Sequence, residues 1–329
     1  MRVIHYHSAS EIASVEAATL PRFNPSNFET QHADVHLCAE SDAREVQARC
    51  SLWWKHVPAY QQHRVGIIGH YAAVESSAAL SLLAEAENRL RAAGCTLAIG
   101  PMNGNTWHSY RFVTDRGSEP PFFLEPTNPA EWPLQFEKAG FSSLANYFSA
   151  VNSDLSRPDP RIDAVTTRIA EAGVVIRPAT TDLRRELQAI YAVSQVSFRQ
   201  NFLYTEIPEP EFIAMYEPIL PVALPELVLI AERSAQCVGY LFGIPDLAQK
   251  ARGLDVDTFI IKTVSILPQP EIRGLGTLLV AHAHELGHAL GFRRCIHALM
   301  FEDNISLNIS RHYAASMRKY TLYSKDLAK

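Results

Sequence analysis

The sequence predicts an α/β (α+β) fold divided between two domains. Segments rich in β-branched residues alternate with segments of helical periodicity along both halves of the chain. A length of 329 residues suits about two domains, and a hydrophobic content of 47% is enough for two cores. Prolines at 158 and 160 mark a break between the halves. We therefore predict domains at 1–155 and 166–329, joined by a linker at 156–165.

Short apolar runs bounded by turn residues predict the strands of the first half. They are Arg2–Tyr6, Val35–Ala39, Val46–Trp54, Val65–Tyr71, Thr96–Ile99 and Tyr147–Val151. Ser77–Ala93 carries apolar residues at helical spacing and predicts a long helix after the fourth strand. The loop Gly100–Arg111 combines turn formers with aromatic and cationic side chains. Such a loop either reaches a pocket between the halves or packs against its own domain.

The second half has a similar order of elements. The predicted strands are Val174–Pro178, Glu226–Glu232, Cys237–Ile244, Phe259–Leu267, Cys295–Phe301 and Arg318–Tyr323. Thr180–Arg199 has the periodicity of a helix, and a second amphipathic helix is predicted from Thr277 onward. Prolines at 268 and 270 forbid regular strand pairing, so the chain leaves the sheet there.

The sequence Arg273-Gly274-Leu275-Gly276 connects a predicted strand to a predicted helix. Gly274 and Gly276 let backbone N–H groups approach an anion closely, and a helix beginning at Thr277 favours negative charge through its dipole. Arg273 adds a fixed positive charge. This pattern is typical of a pyrophosphate-binding loop, with a simple turn as the alternative.

The same helix contains His284-Glu285-Leu286-Gly287-His288, the HExxH pattern of zinc peptidases. Histidines at i and i+4 share one helix face, and the glutamate could act as a base on a metal-bound water. The third ligand position of the longer motif is Arg294, a cation that repels a metal. The predicted packing stripe lies nearly opposite the histidines, which predicts a solvated histidine face and no metal. That stripe consists of Leu279, Ala283, Leu286 and Leu290.

The succession of strand, Arg-Gly-x-Gly loop, amphipathic helix, strand and Asn304 resembles the acyl-CoA-binding core of the GNAT N-acetyltransferase superfamily. The loop of that family is [Q/R]-x-x-G-x-[G/A], which Arg273 and Gly276 match, whereas Leu278 stands where Gly or Ala is usual. The resemblance covers most of the second half. It implies two GNAT-like domains, each a mixed, mostly antiparallel sheet flanked by helices.

The first half resembles an altered second copy of this domain. Gln135–Phe141 is similar to the family ending Tyr-Glu-Lys-x-Gly-Phe. Between the fourth strand and its helix, Ala72–Ser76 contains no glycine and no arginine, and Glu75 stands where a pyrophosphate would lie. A carboxylate repels a polyanion at that position. We therefore predict that the first domain lacks the CoA loop and is structural or shapes the acceptor site.

The resemblance implies an acyl-CoA-dependent N-acyltransferase that moves the acyl group directly to an amine of a small molecule or peptide. Acetyl-CoA is the expected co-substrate, or another acyl-CoA. The implied CoA-binding residues are Val264, Ile266, Arg273, Gly274, Leu275, Gly276, Thr277 and Asn304. Backbone groups near Val264 and Ile266 would bind the pantetheine arm, and one backbone N–H would stabilise the oxyanion.

The acid and base of such a reaction are less defined by the sequence. Tyr313 is the candidate acid that protonates the leaving thiolate, and Glu232 or Asp246 are candidate bases acting through water. The aromatic segment Phe198–Tyr216 would cover the acceptor cleft, which favours an apolar or aromatic amine. A zinc metallopeptidase and a non-catalytic CoA-binding module are the alternatives.

Composition limits the partners and the compartment. The net charge of −5, from 30 basic and 35 acidic residues, gives no basic field for nucleic acid. Five cysteines without paired spacing suggest reduced thiols in the cytoplasm. No apolar run approaches the roughly 20 residues of a membrane span, and the N-terminus does not resemble a signal peptide. We expect a cytoplasmic enzyme without membrane partners, and an exposed strand edge could support a homodimer.

Overall fold

The computed structural model describes residues 1–15, 18–157, 162–302 and 314–328. Within them the strands are β1 (Arg2–Tyr6), β2 (Val35–Glu40), β3 (Val46–Trp53), β4 (Val65–Ala73), β5 (Leu97–Gly100), β6 (Phe112–Asp115), β7 (Ser142–Asn152), β8 (Val174–Pro178), β9 (Val228–Arg233), β10 (Gln236–Pro245), β11 (Thr258–Ile266), β12 (Arg294–Phe301) and β13 (Ala315–Asp326). The helices are α1 (Ala9–Ala13), α2 (Ser26–Thr30), α3 (Ser76–Ala92), α4 (Glu131–Lys138), α5 (Ile162–Glu171), α6 (Leu183–Ser197), α7 (Glu209–Tyr216), α8 (Leu247–Ala251) and α9 (Leu275–Ala289).

These strands form one continuous sheet in which both halves take part. From one edge to the other, the order is β1-β2-β3-β4-β5-β13-β7-β12-β11-β10-β9-β8, and β6 pairs with β13. The pairs β4–β5 and β11–β12 are parallel, and the other pairs are antiparallel. The predicted α/β fold with a mixed, mostly antiparallel sheet is confirmed.

The two halves exchange their last strands at the middle of this sheet. Strand β13 pairs with β5 of the first half, and β7 pairs with β12 of the second half. The strands predicted at Tyr147–Val151 and Arg318–Tyr323 are present, but their assignment to the sheets of the first and second half, respectively, is incomplete because each also extends the sheet of the other half. Alternating apolar residues identify a strand but do not specify its partner. The limits 1–155 and 166–329 stay predictions, and α5 begins within the predicted 156–165 linker.

Helices cover both faces of the second half. Helices α6 and α7 pack on one face of the sheet through Leu187, Ile190 and Phe212. Helix α9 and the shorter α5 pack on the other face through Leu279 and Ile169. This arrangement places the end of β11 between two helical layers. None of the helices in the described ranges is long and apolar enough to span a membrane.

A buried ion pair joins the first half to the exchanged strand β13. Arg318 Nε lies 2.7 Å from Glu125 Oε1, with only 3% and 1% of the two side chains exposed. The Tyr320 hydroxyl donates to the same carboxylate. Burial raises the pKa of Glu125, while Tyr320 and Arg318 oppose this effect. The carboxylate thus links two segments that are distant in sequence.

We expect Glu125→Gln to lower the free energy of unfolding by about 3–5 kcal/mol, because it leaves a buried guanidinium without a counter-charge. The matched control is Glu119→Gln. Glu119 pairs with Arg294 at 2.7 Å, but 30% and 31% of those side chains are exposed. Loss of this exposed pair should lower the free energy of unfolding by less than about 1 kcal/mol. Urea unfolding measures both values, and equal losses would contradict the structural role given to Glu125.

Candidate active site

Strands β11 and β12 run side by side only at their beginnings. Thr258–Ile261 pairs with Arg294–His297, and beyond these residues the described part of β12 no longer pairs with β11. On the other side of β11, Phe242 pairs with Thr263 and Gly243 with Ile261, so that Lys262 is an extra, bulged residue. A bulge bends its strand. The bulge lies where the pairing with β12 ends, and β12 has a register shift of its own against β7 between His297 and Met300. An opening between the two strands begins at this level.

The diverging part of β11 carries two of the predicted CoA-binding residues. Val264 and Ile266 are half-buried, and their side chains pack against the core cluster below α9. In the described residues, the backbone on the β12 side of this segment has no strand partner. Backbone N–H and C=O groups in this situation are available to an extended ligand.

The connection from β11 to α9 forms an anion-binding geometry. A 3-10 turn at Pro270–Ile272 leads into Arg273, and Gly274 occupies the N-cap with a φ of 93°. The positive φ favours glycine at this position, and a Cβ atom there would lie 2.7 Å from Arg168 Nη2, so that the arginine would have to move. The first turn of α9, from Leu275 through Thr277, contains no acidic residue. Its free N–H groups and the helix dipole favour an anion.

Arg168 on α5 is a second cation at this loop. Its Nη2 donates to the carbonyl oxygen of Arg273 at 2.6 Å, while the Arg273 side chain is exposed. Sequence reasoning missed Arg168, because it lies 105 residues before the loop in the chain. Two arginines therefore lie next to the N-terminus of α9.

The equivalent opening in the first half is filled by the chain itself. Strands β4 and β5 also pair in parallel for only a short distance, over Val65–Ile67 and Leu97–Ile99. Beyond it, Met102 N–H donates to the carbonyl of Ile68 at 2.9 Å. A Cβ atom at Gly69 would lie 1.9 Å from the Met102 oxygen.

The N-terminus of α3 also differs from that of α9. Its N-cap is Glu75, whose side chain makes no capping hydrogen bond. A carboxylate thus stands where α9 has Gly274 and two arginines. The filled opening and this N-cap both agree with the predicted lack of a CoA loop in the first half.

The loop after β5 continues into the second half. Trp107 Nε1 donates to the carbonyl of Thr205 at 2.7 Å. Its ring packs against aromatic side chains of the α6–α7 region at centroid distances of 5.5–6.1 Å. We call the set Trp107, Phe198, Tyr204, Phe212 and Tyr216 the aromatic cluster. Each of the two alternatives for this loop thus holds in part, since Trp107 reaches the other half whereas Tyr110 packs against Tyr147 of its own half.

The aromatic cluster lies next to the diverging strand. Tyr216 packs against Phe242 with ring centres 5.1 Å apart, and Phe242 pairs with Thr263 of that strand. Burial raises the pKa of Tyr216 to about 12. His108, which follows Trp107, has its Nε2 3.7 Å from Glu211 Oε1 on α7. Burial lowers the pKa of His108 to about 4, so it is neutral at physiological pH. Glu211 is a carboxylate beside this wall, and burial raises its pKa.

Lys262, at the bulge, has a perturbed side chain. Burial lowers its pKa to about 8, the charge of Arg111 lowers it further, and Glu125 acts in the opposite direction. An amine with this pKa is partly neutral near physiological pH and can accept a proton. Sequence reasoning missed Lys262. The available signal was a lone lysine within the apolar strand TFIIKTVSI.

The two histidines of the HExxH motif differ in burial. His284 is only 4% exposed, and its Nε2 lies 3.0 Å from Nε2 of His297, whereas His288 is exposed. The predicted solvated histidine face is therefore wrong for His284, because α9 lies between the sheet and α5 and is buried over much of its circumference. Leu290, assigned to the packing stripe, is 46% exposed instead. This geometry does not favour the zinc-peptidase alternative.

His284, His297 and Cys295 form a buried group whose donor atoms lie within 4.8 Å of one another. Burial lowers the pKa of His284 to about 3 and that of His297 to about 4. Burial also raises the pKa of the Cys295 thiol well above its usual value. These shifts favour a neutral thiol and two neutral imidazoles at physiological pH.

The remaining predicted residues fall into two groups. Asn304 and Tyr313 lie outside the described residues. Glu232 is paired with Arg177 at 2.7 Å, and Asp246 caps α8 by accepting from Ala248 N–H at 3.2 Å. Both carboxylates thus make structural contacts, which does not favour either as the base.

Comparison with known proteins identifies the fold. No protein-family model matches the sequence, and no curated protein is similar enough in sequence to match. A GCN5-related N-acetyltransferase from Anabaena variabilis aligns with a TM-score of 0.56 at 10% identity, over 99% of this chain and 73% of that chain. A tandem GNAT protein from the clavulanic acid biosynthesis pathway aligns with a TM-score of 0.50 at 12% identity, over 99% and 98%.

A third solved structure is the glucosamine N-acetyltransferase region of a fungal multi-domain GH3 β-N-acetylglucosaminidase. It aligns with a TM-score of 0.55 at 14% identity and covers 98% of this chain. The chain spans only 38% of the length of that protein. These likenesses show that the chain has the fold of the GCN5-related N-acetyltransferases, as the sequence resemblance predicted.

Proposed function

We propose that the protein is an acyl-CoA-dependent N-acyltransferase whose acyl-CoA site lies between β11 and β12. The observation that carries this proposal is the convergence of the strand opening with the loop from Arg273 to Thr277. The opening exposes unpaired backbone at Val264 and Ile266, which suits an extended pantetheine arm. Arg168, Arg273 and the N-terminus of α9 suit a pyrophosphate. Acetyl-CoA is the proposed donor.

Lys262 is the proposed general base. It lies at the strand bulge, on the segment that would hold the thioester, and its pKa of about 8 is close to the operating pH. In the proposed reaction Lys262 takes a proton from the ammonium form of the bound acceptor, and the freed nitrogen lone pair attacks the thioester carbonyl. The amide bond forms as the C–S bond breaks, and the second nitrogen proton passes to the departing CoA sulfur, which leaves as the thiol. A backbone N–H near the bulge would stabilise the oxyanion.

The proposed acceptor is an amine with an aromatic or apolar body. The aromatic cluster provides the matching surface, and Glu211, with 26% of its side chain exposed, provides a charge complementary to an ammonium group. The loop carrying Trp107 comes from the first half. The first half would therefore contribute to acceptor binding without binding CoA.

Release of the CoA thiol in the presence of different amines tests this function. Tyramine, phenethylamine and tryptamine should be acylated faster than glucosamine or lysine, with the amide product confirmed by mass. Acylation confined to the polar amines would contradict the acceptor class. Tight acetyl-CoA binding without acylation of any amine would favour the non-catalytic CoA-binding module instead.

We expect Trp107→Ala to raise the KM for an aromatic amine by about tenfold, because it removes one wall of the cluster, while the KM for acetyl-CoA stays unchanged. The matched control is Trp54→Ala, since Trp54 packs against the core of the first half. Steady-state kinetics measure both. A larger change in the KM for acetyl-CoA than in the KM for the amine would contradict the placement of the acceptor.

A further inference from the structure

The first half contains a cavity of about 270 Å³ that the proposed acyl transfer does not use. Its walls come from the segment before α2, from β3 and β4, from the loop after β5 and from the segment before α4. Three arginines line it, Arg22, Arg49 and Arg111. Among the described residues, no aspartate or glutamate lines it. The cavity is therefore strongly positive although the whole chain has a net charge of −5.

Arg49 on β3 is the most unusual of these side chains. It is 7% exposed, and its Nε and Nη1 atoms are buried without a hydrogen-bond partner among the described residues. Its guanidinium carbon lies 5.4 Å from the centre of the Phe23 ring, at the cavity wall. Burial lowers its pKa to about 10, so it stays charged at neutral pH. An unpaired buried charge is costly unless something neutralises it.

Neighbouring polar groups do not satisfy Arg49, because they bind one another. His36 Nδ1 and His70 Nδ1 lie 2.7 Å and 2.9 Å from the Ser51 hydroxyl. His70 Nε2 lies 2.9 Å from Gln31 Oε1. Burial lowers the pKa of both histidines to about 3, so they remain neutral.

Arg111 adds a second buried charge without a carboxylate partner among the described residues. It is 7% exposed, its guanidinium lies 3.8 Å and 4.0 Å from the ring centres of Tyr110 and Tyr147, and its Nη1 donates to the Leu299 carbonyl. Aromatic faces and a carbonyl stabilise a guanidinium without cancelling its charge. The two arginines thus maintain a positive potential in a partly open, partly aromatic cavity.

We propose that this cavity binds a small organic anion, a carboxylate or phosphate of metabolite size, through the guanidinium of Arg49. The planar guanidinium matches either group with paired hydrogen bonds. The volume is slightly below the roughly 300–1,000 Å³ typical of drug-sized ligands, which suits a small metabolite. Arg111, which lines the cavity, also lowers the pKa of Lys262, so the test uses Arg49 and the affinity for acetyl-CoA, which let either proposal fail alone.

Thermal unfolding of the full chain with inorganic phosphate or benzoate, at constant ionic strength, tests the site. We expect the wild-type Tm to rise by roughly 2 °C for each tenfold increase in the binding anion above its Kd. Arg49→Met should abolish this rise. Without anion, its Tm should equal or exceed that of the wild type, because the uncompensated buried charge is gone. The control Arg2→Met, on the exposed edge strand, should keep the rise.

Each other outcome has a defined meaning. A wild-type Tm unaffected by both anions would overturn the proposal, as would a rise that persists in Arg49→Met. A lower Tm for Arg49→Met without anion, combined with an unchanged rise, would assign Arg49 a structural role. Phosphate and benzoate distinguish the two anion classes, since only the recognised class should raise the Tm. Acetyl-CoA affinity should be the same in wild type and Arg49→Met.

Discussion

Thr277→Glu is expected to weaken acetyl-CoA binding on the order of 100-fold, because two like charges about 6 Å apart repel by about 3 kcal/mol at an effective dielectric of 20. Thr277 is half-buried in the first turn of α9, where the proposed pyrophosphate would lie. A glutamate there is favourable for the helix itself, since negative charge stabilises a helix N-terminus. The affinity for acetyl-CoA should therefore fall, while the free energy of unfolding stays the same or rises.

The neutral variant Thr277→Gln is the matched control, because it has the same shape without the charge. Its affinity for acetyl-CoA should stay within a few fold of the wild type. Calorimetric titration gives the affinities, and thermal unfolding without ligand should show Thr277→Glu at least as stable as the wild type. Equal affinities of the glutamate and glutamine variants for acetyl-CoA would contradict the placement of the pyrophosphate at this loop.

Lys262→Met is expected to lower kcat by about 10²–10⁴-fold, the range that general base catalysis contributes. In the wild type, kcat for a saturating alkyl amine should rise with pH through about 8 and level off above it, because Lys262 must lose its proton to act as a base. The variant should lose this rise. Exposed Lys319, on β13, provides the control Lys319→Met, which should leave both properties unchanged.

Two further measurements separate a base from a structural lysine. Lys262→Arg keeps the positive charge but cannot be deprotonated, so it should be as inactive as Lys262→Met. An arylamine is already neutral at these pH values, and the variants should lose less activity with it than with an alkyl amine. Substantial activity in Lys262→Arg would assign the residue to charge stabilisation instead.

The sequence predicted those features that depend on local patterns. Strands such as Val174–Pro178 and the hairpin of β9 and β10 were recognisable because apolar periodicity is a local property. The loop at Arg273–Gly276 was recognisable because glycine and arginine have direct physical meaning next to a helix start. The fold prediction followed from the order of these elements.

Features that depend on long-range packing were not predicted. The exchange of β7 and β13 pairs strands that are distant in the sequence, and the apolar periodicity of a strand does not specify its partner. Arg168 reaches the Arg273 loop from a helix 105 residues earlier, and His284 is buried only because α5 and the sheet enclose α9. The bulge at Lys262 changes the direction of its strand and arises from the pairing with β10, so the strand sequence alone does not specify it.

The crystal structure of the full chain with saturating acetyl-CoA tests the central claim most directly. It should show one acetyl-CoA per chain, with the pantetheine arm between β11 and β12 and the pyrophosphate at the N-terminus of α9, near Arg273 and Arg168. The opening between β4 and β5 should hold only the chain's own loop. A CoA molecule bound between β4 and β5, or a well-folded chain with none bound, would contradict the account.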